Sequence, residues 1–164
     1  MNRTRLLTTM AVLVAIGTLG SHILWFPAGV AKAYPVQHAV NVITAVILGP
    51  GPAVIVAFLI GLLRNMLGLG TILAFPGGMV GAFLAGYLYK KLGKKIWAVI
   101  GEVVGTGIFG SLLSAPIANI VMGSSVGILF YIPSFLVSSF FGAAIAYIIV
   151  LRVKSEQLLR VKPD

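Results

Sequence analysis

The sequence contains no cysteine and only three acidic residues among its 164. Without cysteine, the chain cannot form disulfides, thiolate metal sites or a cysteine nucleophile. Its two histidines, His22 and His38, have no carboxylate near them in the sequence, which argues against a metal site and against a general acid–base pair. We therefore expect no metal, no cofactor and no catalytic residue in this chain, which is then not an enzyme.

Two nucleotide-binding motifs are missing or misplaced. No segment ends in the Gly-Lys-Ser/Thr of a phosphate-binding loop, so the chain is not expected to hydrolyse ATP by that route. Residues 105–110 match the spacing of a dinucleotide fingerprint, but no strand precedes them and they lie in an apolar segment. Glycines four apart, such as Gly77 and Gly81, favour close helix packing instead.

The composition is that of a membrane protein. Hydrophobic residues make up 59% of the chain, charged residues 9%, and the mean hydropathy is +1.09. Four stretches without charged side chains, at 6–31, 33–63, 65–89 and 103–151, can each hold at least one helix of about 20 residues. We expect a multi-pass protein of the cell membrane, with its first helix retained because the apolar run is too long for an ordinary signal peptide.

Proline and positive charge set the number of crossings. The run Gly-Pro-Gly-Pro at 49–52 breaks the second stretch into two helices, the first of them short and expected to be tilted, thinly covered or only partly inserted. The basic residues cluster at Arg3 and Arg5, at Lys90, Lys91, Lys94 and Lys95, and at Arg152, Lys154, Arg160 and Lys162. Placing all three clusters in the cytoplasm explains the net charge of +9 without a nucleic-acid partner. The prediction is an all-α bundle forming a single transmembrane domain over 1–164, with both termini cytoplasmic and helices near 6–25, 36–48, 53–67, 74–89, 96–115 and 129–151.

Arg64 is the only charged residue between Lys32 and Lys90, and a charge inside an apolar stretch calls for a function. The topology places it at the outer end of the third helix, and other polar side chains of the outer half can converge on it. The predicted substrate-binding residues are Tyr34, Gln37, His38, Asn41, Arg64, Asn65, Asn119 and Tyr131. The alternatives remain that Arg64 reaches the headgroups and that the amides join helices. Glu102 is expected to be neutralised by Lys94 or Lys95.

Four blocks of the sequence resemble the ThiW family of energy-coupling factor (ECF) transporter subunits. They are Ala-Tyr-Pro-Val-Gln-His-Ala-Val-Asn-Val at 33–42, Leu-Gly-Pro-Gly at 48–51, Leu-Leu-Arg-Asn-Met-Leu-Gly at 62–68 and Ala-Phe-Pro-Gly-Gly-Met at 74–79. The resemblance implies an S component, the subunit that captures substrate. It also implies a transmembrane T component and two cytoplasmic ATPases as partners, which use the ATP, and docking on the T component through Ala11 and Ala15.

The resemblance further implies a thiamine precursor, hydroxyethylthiazole, as the small-molecule substrate. A small heteroaromatic alcohol suits a pocket containing Trp25, Tyr34 or Tyr131, over which the first outer loop closes. A stand-alone secondary carrier or channel is the alternative, although such carriers commonly use intramembrane carboxylates, which are scarce here. An intramembrane enzyme is the least favoured reading, since paired catalytic groups are lacking.

Overall fold

A computed structural model describes residues 2–152. The α-helices are α1 (Arg3–Ile23), α2 (Pro35–Leu48), α3 (Pro50–Met66), α4 (Ala74–Leu92), α5 (Lys95–Val104), α6 (Ser111–Val121) and α7 (Ile132–Arg152). The predicted C-terminal basic residues Lys154, Arg160 and Lys162 lie outside the described residues.

The fifth predicted helix is longer than the sequence indicated. A π-helical segment, Gly105–Gly110, joins α5 to α6, and the three together form one continuous helical rod over Lys95–Val121. The following loop therefore begins after Val121, not near 115 as predicted. This rod, α1 and α7 are each long and apolar enough to cross a membrane, while α2 and α3 are shorter apolar helices. The described chain is thus a multi-pass helical membrane protein of six rods.

The second helix is central, which corrects the expectation that it is thinly covered. It packs against α1, α3, α4 and α7, and its buried residues include Ala39, Val42 and Ala45. Only Gly49 separates it from α3, with a φ of 87° that a glycine adopts without strain. Proline suits the first turn of a helix, so α3 begins at Pro50 rather than near 53.

A short β-hairpin, absent from the all-α prediction, follows α1. Strand β1 (Phe26–Ala28) pairs antiparallel with β2 (Ala31–Ala33) around Gly29, whose φ is 62°. Two buried serines of α7 hold it. Ser134 donates its hydroxyl hydrogen to the Ala28 carbonyl, and the Tyr34 amide donates to Ser138 Oγ at 2.8 Å.

Glycine contacts bring α4 against the rod that contains the π segment, as the spacing predicted. A Cβ placed on Gly105 would lie 2.7 Å from Gly81 Cα, and one on Gly110 would lie 2.4 Å from Gly77 Cα. The 105–110 run therefore serves packing.

The connections place two groups of loops at opposite ends of the bundle. The hairpin end holds the β-hairpin and the loops at 67–73 and 122–131. The lysine end holds Gly49 and the basic turn between α4 and α5.

Candidate substrate-binding cavity

A cavity of about 720 Å³ lies at the hairpin end of the bundle. The β-hairpin, the first turn of α2, the end of α3, the 67–73 loop, the start of α4 and the start of α7 surround it. Five of the eight predicted binding residues line it: Tyr34, Gln37, His38, Arg64 and Tyr131. Its volume falls in the range of small-molecule sites.

Arg64 is buried beside the cavity, with only 2% of its surface exposed. It donates from Nη1 to Gln37 Oε1 and from Nη2 to the Leu69 carbonyl at 3.1 Å. Its guanidinium carbon lies 3.7 Å from the centre of the Tyr34 ring. The side chain therefore joins α3 to α2 and to the 67–73 loop, and the alternative in which it reaches for the headgroups is wrong.

Glu102 is the feature that the sequence reasoning missed. It has no exposed surface and lies behind His38, whose Nδ1 is 2.8 Å from Glu102 Oε1. Asn41 Nδ2 donates to the same oxygen at 3.1 Å, and Thr106 Oγ1 lies 2.9 Å from it. The expected neutralisation by Lys94 or Lys95 is wrong in this structure, and so is the expectation that no histidine has a carboxylate beside it.

This arrangement fixes the hydrogen-bonding capacity of His38. An ionised carboxylate only accepts hydrogen bonds, so with Glu102 ionised the Nδ1 of His38 is the donor. In the neutral imidazole, Nε2 is then an acceptor, and His38 lines the cavity. The pair thus suits a ligand that presents a hydroxyl group to the ring.

Three predicted binding residues have other partners. Asn65 donates to the carbonyls of Gly61 and Thr71, at 2.8 and 3.0 Å, and so holds the end of α3 to the next loop. Asn119 exchanges two hydrogen bonds of 3.0 Å with the backbone of Val126. Neither of these two residues lines the cavity. Asn41 lies beneath the cavity, where its Nδ2 donates to Glu102 Oε1 and to the Gly78 carbonyl.

Aromatic rings supply much of the cavity wall. The ammonium group of Lys32, an exposed residue, lies 4.1 Å from the centre of the Trp25 ring. Tyr131 and Phe135 pack together with ring centres 5.9 Å apart. Their spacing of four residues along the chain was a readable signal, because such residues share one face where α7 begins.

The apolar rods and this cavity define a class of protein: a multi-pass membrane protein that binds a small molecule at one end of a helical bundle. A family model described as thiamine-precursor transporter protein (ThiW) matches residues 7–156. The chain therefore belongs to the ThiW family and is a thiamine-precursor transporter of the cell membrane. No curated protein and no solved structure matches it.

Proposed function

We propose that this ThiW protein is the substrate-capture subunit of an ECF uptake system for hydroxyethylthiazole. The observation that carries the proposal is the cavity itself, in which a histidine held by a buried carboxylate stands among aromatic side chains. The thiazole ring would pack on Tyr131 and Phe135, and its hydroxyl group would donate to His38 Nε2. Tyr34 and Gln37, fixed by Arg64, would form the opposite wall.

Assembly with partner proteins is the second part of the proposal. The sequence has no phosphate-binding loop, so ATP would be hydrolysed by two partner ATPases joined through a T component. Ala11 and Ala15 lie one helical turn apart on α1, and both are exposed in the isolated chain. Small exposed side chains allow another helix to approach closely, which supports docking at this face.

The orientation follows from charge. Lys90, Lys91 and Lys94 are exposed at the lysine end, and we place that end in the cytoplasm. The cavity then faces outward and captures substrate there. The β-hairpin is the segment placed to cover the ligand, because it lies over the cavity and is attached to α7 through two serines.

A binding screen tests the proposed substrate. The purified chain is heated with hydroxyethylthiazole, with a hydroxymethylpyrimidine and with thiamine. A ligand present at 100 times its dissociation constant stabilises the folded state by about 2.7 kcal/mol, which raises the unfolding temperature by several degrees. We expect that shift with the thiazole. No shift with the thiazole and a clear shift with another compound would reject the substrate assignment.

One observation favours a second candidate, a proton-coupled secondary carrier. Glu102 is a buried intramembrane carboxylate in contact with a histidine, and such groups serve as proton relays in carriers. Reconstitution of the chain alone into liposomes separates the two candidates. Thiazole uptake driven by a pH gradient without ATPases, and lost in Glu102→Gln, would establish the carrier; uptake only with the T component and ATPases would support the capture subunit.

A further inference from the structure

The charged side chains that line the cavity are all of one sign. Lys32 and Arg64 face it, and no carboxylate is among its lining residues. Glu102 is the only acidic residue within 2–152, since Glu156 and Asp164 lie outside the described part of the chain. A ligand in this cavity therefore lies near a lysine and an arginine and near no carboxylate of the lining.

The one nearby carboxylate is turned away. Glu102 Oε1 is occupied by its contacts with His38, Asn41 and Thr106. Glu102 Oε2 points at α4, where a Cβ added to Gly81 would lie 2.7 Å from it. Gly81 does not line the cavity. Oε2 is buried without a hydrogen-bond partner among the described residues, and Glu102 is not among the residues that line the cavity, so neither oxygen is presented to a ligand.

The two aromatic rings best suited to hold a cation already hold one. A cationic ligand binds over the face of a Trp or Tyr ring, within about 6 Å of its centre. The Lys32 ammonium is 4.1 Å from the Trp25 ring centre, and the Arg64 guanidinium is 3.7 Å from that of Tyr34. A second cation beside either ring would meet a like charge at close range; this repulsion is strongest beside the buried Arg64 and weaker beside Lys32, where the Trp25 ring is 45% exposed. Within residues 2–152 no lysine or arginine lies over the Tyr131 and Phe135 pair, so these rings are left for the ring of the ligand.

From these three observations we infer that the cavity selects against positive charge: it accepts the neutral thiazole alcohol and rejects its thiazolium forms, thiamine included. The inference deepens the proposed function and rests on it for the choice of probe. Size does not produce this selectivity, because a cavity of about 720 Å³ has room for thiamine as well. Lys32 is the specificity-determining residue, since its ammonium contacts the ligand-facing Trp25 ring without joining helices.

The test compares two probes that differ by one charge: hydroxyethylthiazole and its N-methyl thiazolium derivative. A neutral C2-methyl homologue controls for the added bulk. Binding to the wild-type chain is measured by calorimetry. We expect the thiazolium to bind at least tenfold more weakly than the neutral homologue. Equal or tighter binding of the thiazolium would overturn the inference.

A charge-removing variant then assigns the effect. Lys32→Gln should narrow the ratio of the two dissociation constants at least threefold. Lys91→Gln is the matched control, because Lys91 also lies over an aromatic ring, 5.9 Å from the centre of Tyr87, at the other end of the bundle. A ratio unchanged in Lys32→Gln would overturn the role of Lys32.

A third measurement needs no substrate, so failure of the proposed function can be told from failure of this inference. In a Trp97→Phe variant, Trp25 is the only tryptophan. The measurement is the ratio of the iodide to the caesium quenching constant of Trp25. This ratio should exceed that of a free tryptophan amide, and Lys32→Gln should reduce the difference. If no thiazole binds but iodide still quenches Trp25 in excess of caesium, the substrate assignment is wrong and the positive charge of the cavity is supported. No excess would overturn the positive cavity itself.

Discussion

His38 of α2 and Glu102 of α5 meet in the interior of the bundle, Nδ1 to Oε1 at 2.8 Å. Glu102 has no exposed surface and His38 only 7%. The carboxylate lies one layer behind the cavity and the imidazole lines it. We therefore propose that Glu102 is a positioning residue: with its carboxylate ionised, it sets the ring orientation and tautomer of His38 without itself lining the cavity.

Replacing the carboxylate should change ligand affinity through the histidine. In Glu102→Gln the Nδ1–H loses its charged acceptor, the tautomer with hydrogen on Nε2 gains population, and the acceptor for the substrate hydroxyl is lost. We expect thiazole affinity to fall about tenfold, equivalent to about 1.4 kcal/mol, near the lower end for hydrogen bonds to charged groups. Calorimetry gives the affinity, and ¹⁵N NMR of the imidazole reports the tautomer.

Thr44→Val provides the control for that change. Thr44 is also buried on α2, but its hydroxyl bonds only to the Val40 carbonyl of its own helix and does not line the cavity. Its loss should leave both affinity and tautomer unchanged. Wild-type affinity and an unaltered imidazole spectrum in Glu102→Gln would show that the carboxylate does not position His38.

The site divides into parts that the sequence could and could not predict. Arg64, Gln37 and His38 were predicted to line one site because charge parity fixed which helix ends share a side. The Glu102 contact was missed because helical periodicity gives the face of a residue but not the helix that it faces. The sequence did contain an indication of this contact, because an isolated carboxylate in an apolar helix almost always pairs with another polar group.

Other errors have local causes. Asn65 bonds to a carbonyl of its own helix and Asn119 to one in the loop that follows its helix, as short polar side chains commonly do, and nothing in the spacing separates that role from ligand binding. The β-hairpin has strands of three residues around Gly29, which leaves too few positions for an alternating pattern to be recognised.

Arg64 is expected not to tolerate lysine. A lysine retains the charge but has a single nitrogen and no planar group, so it cannot reach Gln37 and Leu69 together while stacking on Tyr34. Arg64→Lys should therefore destabilise the fold by about 2 kcal/mol, seen as a lower unfolding temperature in detergent. Arg5→Lys, at an exposed position of α1, is the control and should unfold like the wild type. An equally small effect at both positions would contradict the bridging role of Arg64.

Gly142 of α7 is predicted to be essential for the approach of α7 to α2. A Cβ there would lie 2.3 Å from the Pro35 carbonyl oxygen and 2.6 Å from His38 Cβ. Gly142→Ala should cost about 1–3 kcal/mol and, by moving His38, weaken ligand binding. Gly51→Ala is its control, because nothing lies within 4 Å of that Cβ and alanine favours a helix. A lower unfolding temperature for Gly51→Ala than for Gly142→Ala would refute the packing argument.

The orientation can be read from single cysteines, since the chain has none of its own. Val30 is exposed on the hairpin and Lys91 is exposed at the lysine end. With the lysine end in the cytoplasm, Val30→Cys should react with a membrane-impermeant maleimide on intact cells. Lys91→Cys should react only after permeabilisation. The reverse pattern would place the cavity on the cytoplasmic side and reject outward capture.

Docking through α1 predicts a separation of binding from transport. Ala11 and Ala15 are exposed, so leucine at either position adds bulk to the outer surface of the bundle without entering its core. In Ala11→Leu and Ala15→Leu the isolated chain should bind thiazole with wild-type affinity, while ATP-dependent uptake with the T component and ATPases should fall tenfold or more, because a tightly packed helix contact does not absorb the extra carbons. Val137→Leu, at a position of α7 that is 36% exposed and lies on another helix, should leave both measurements unchanged. Full uptake by both alanine variants would exclude this face as the docking surface, and loss of binding would show that the substitutions damage the fold instead.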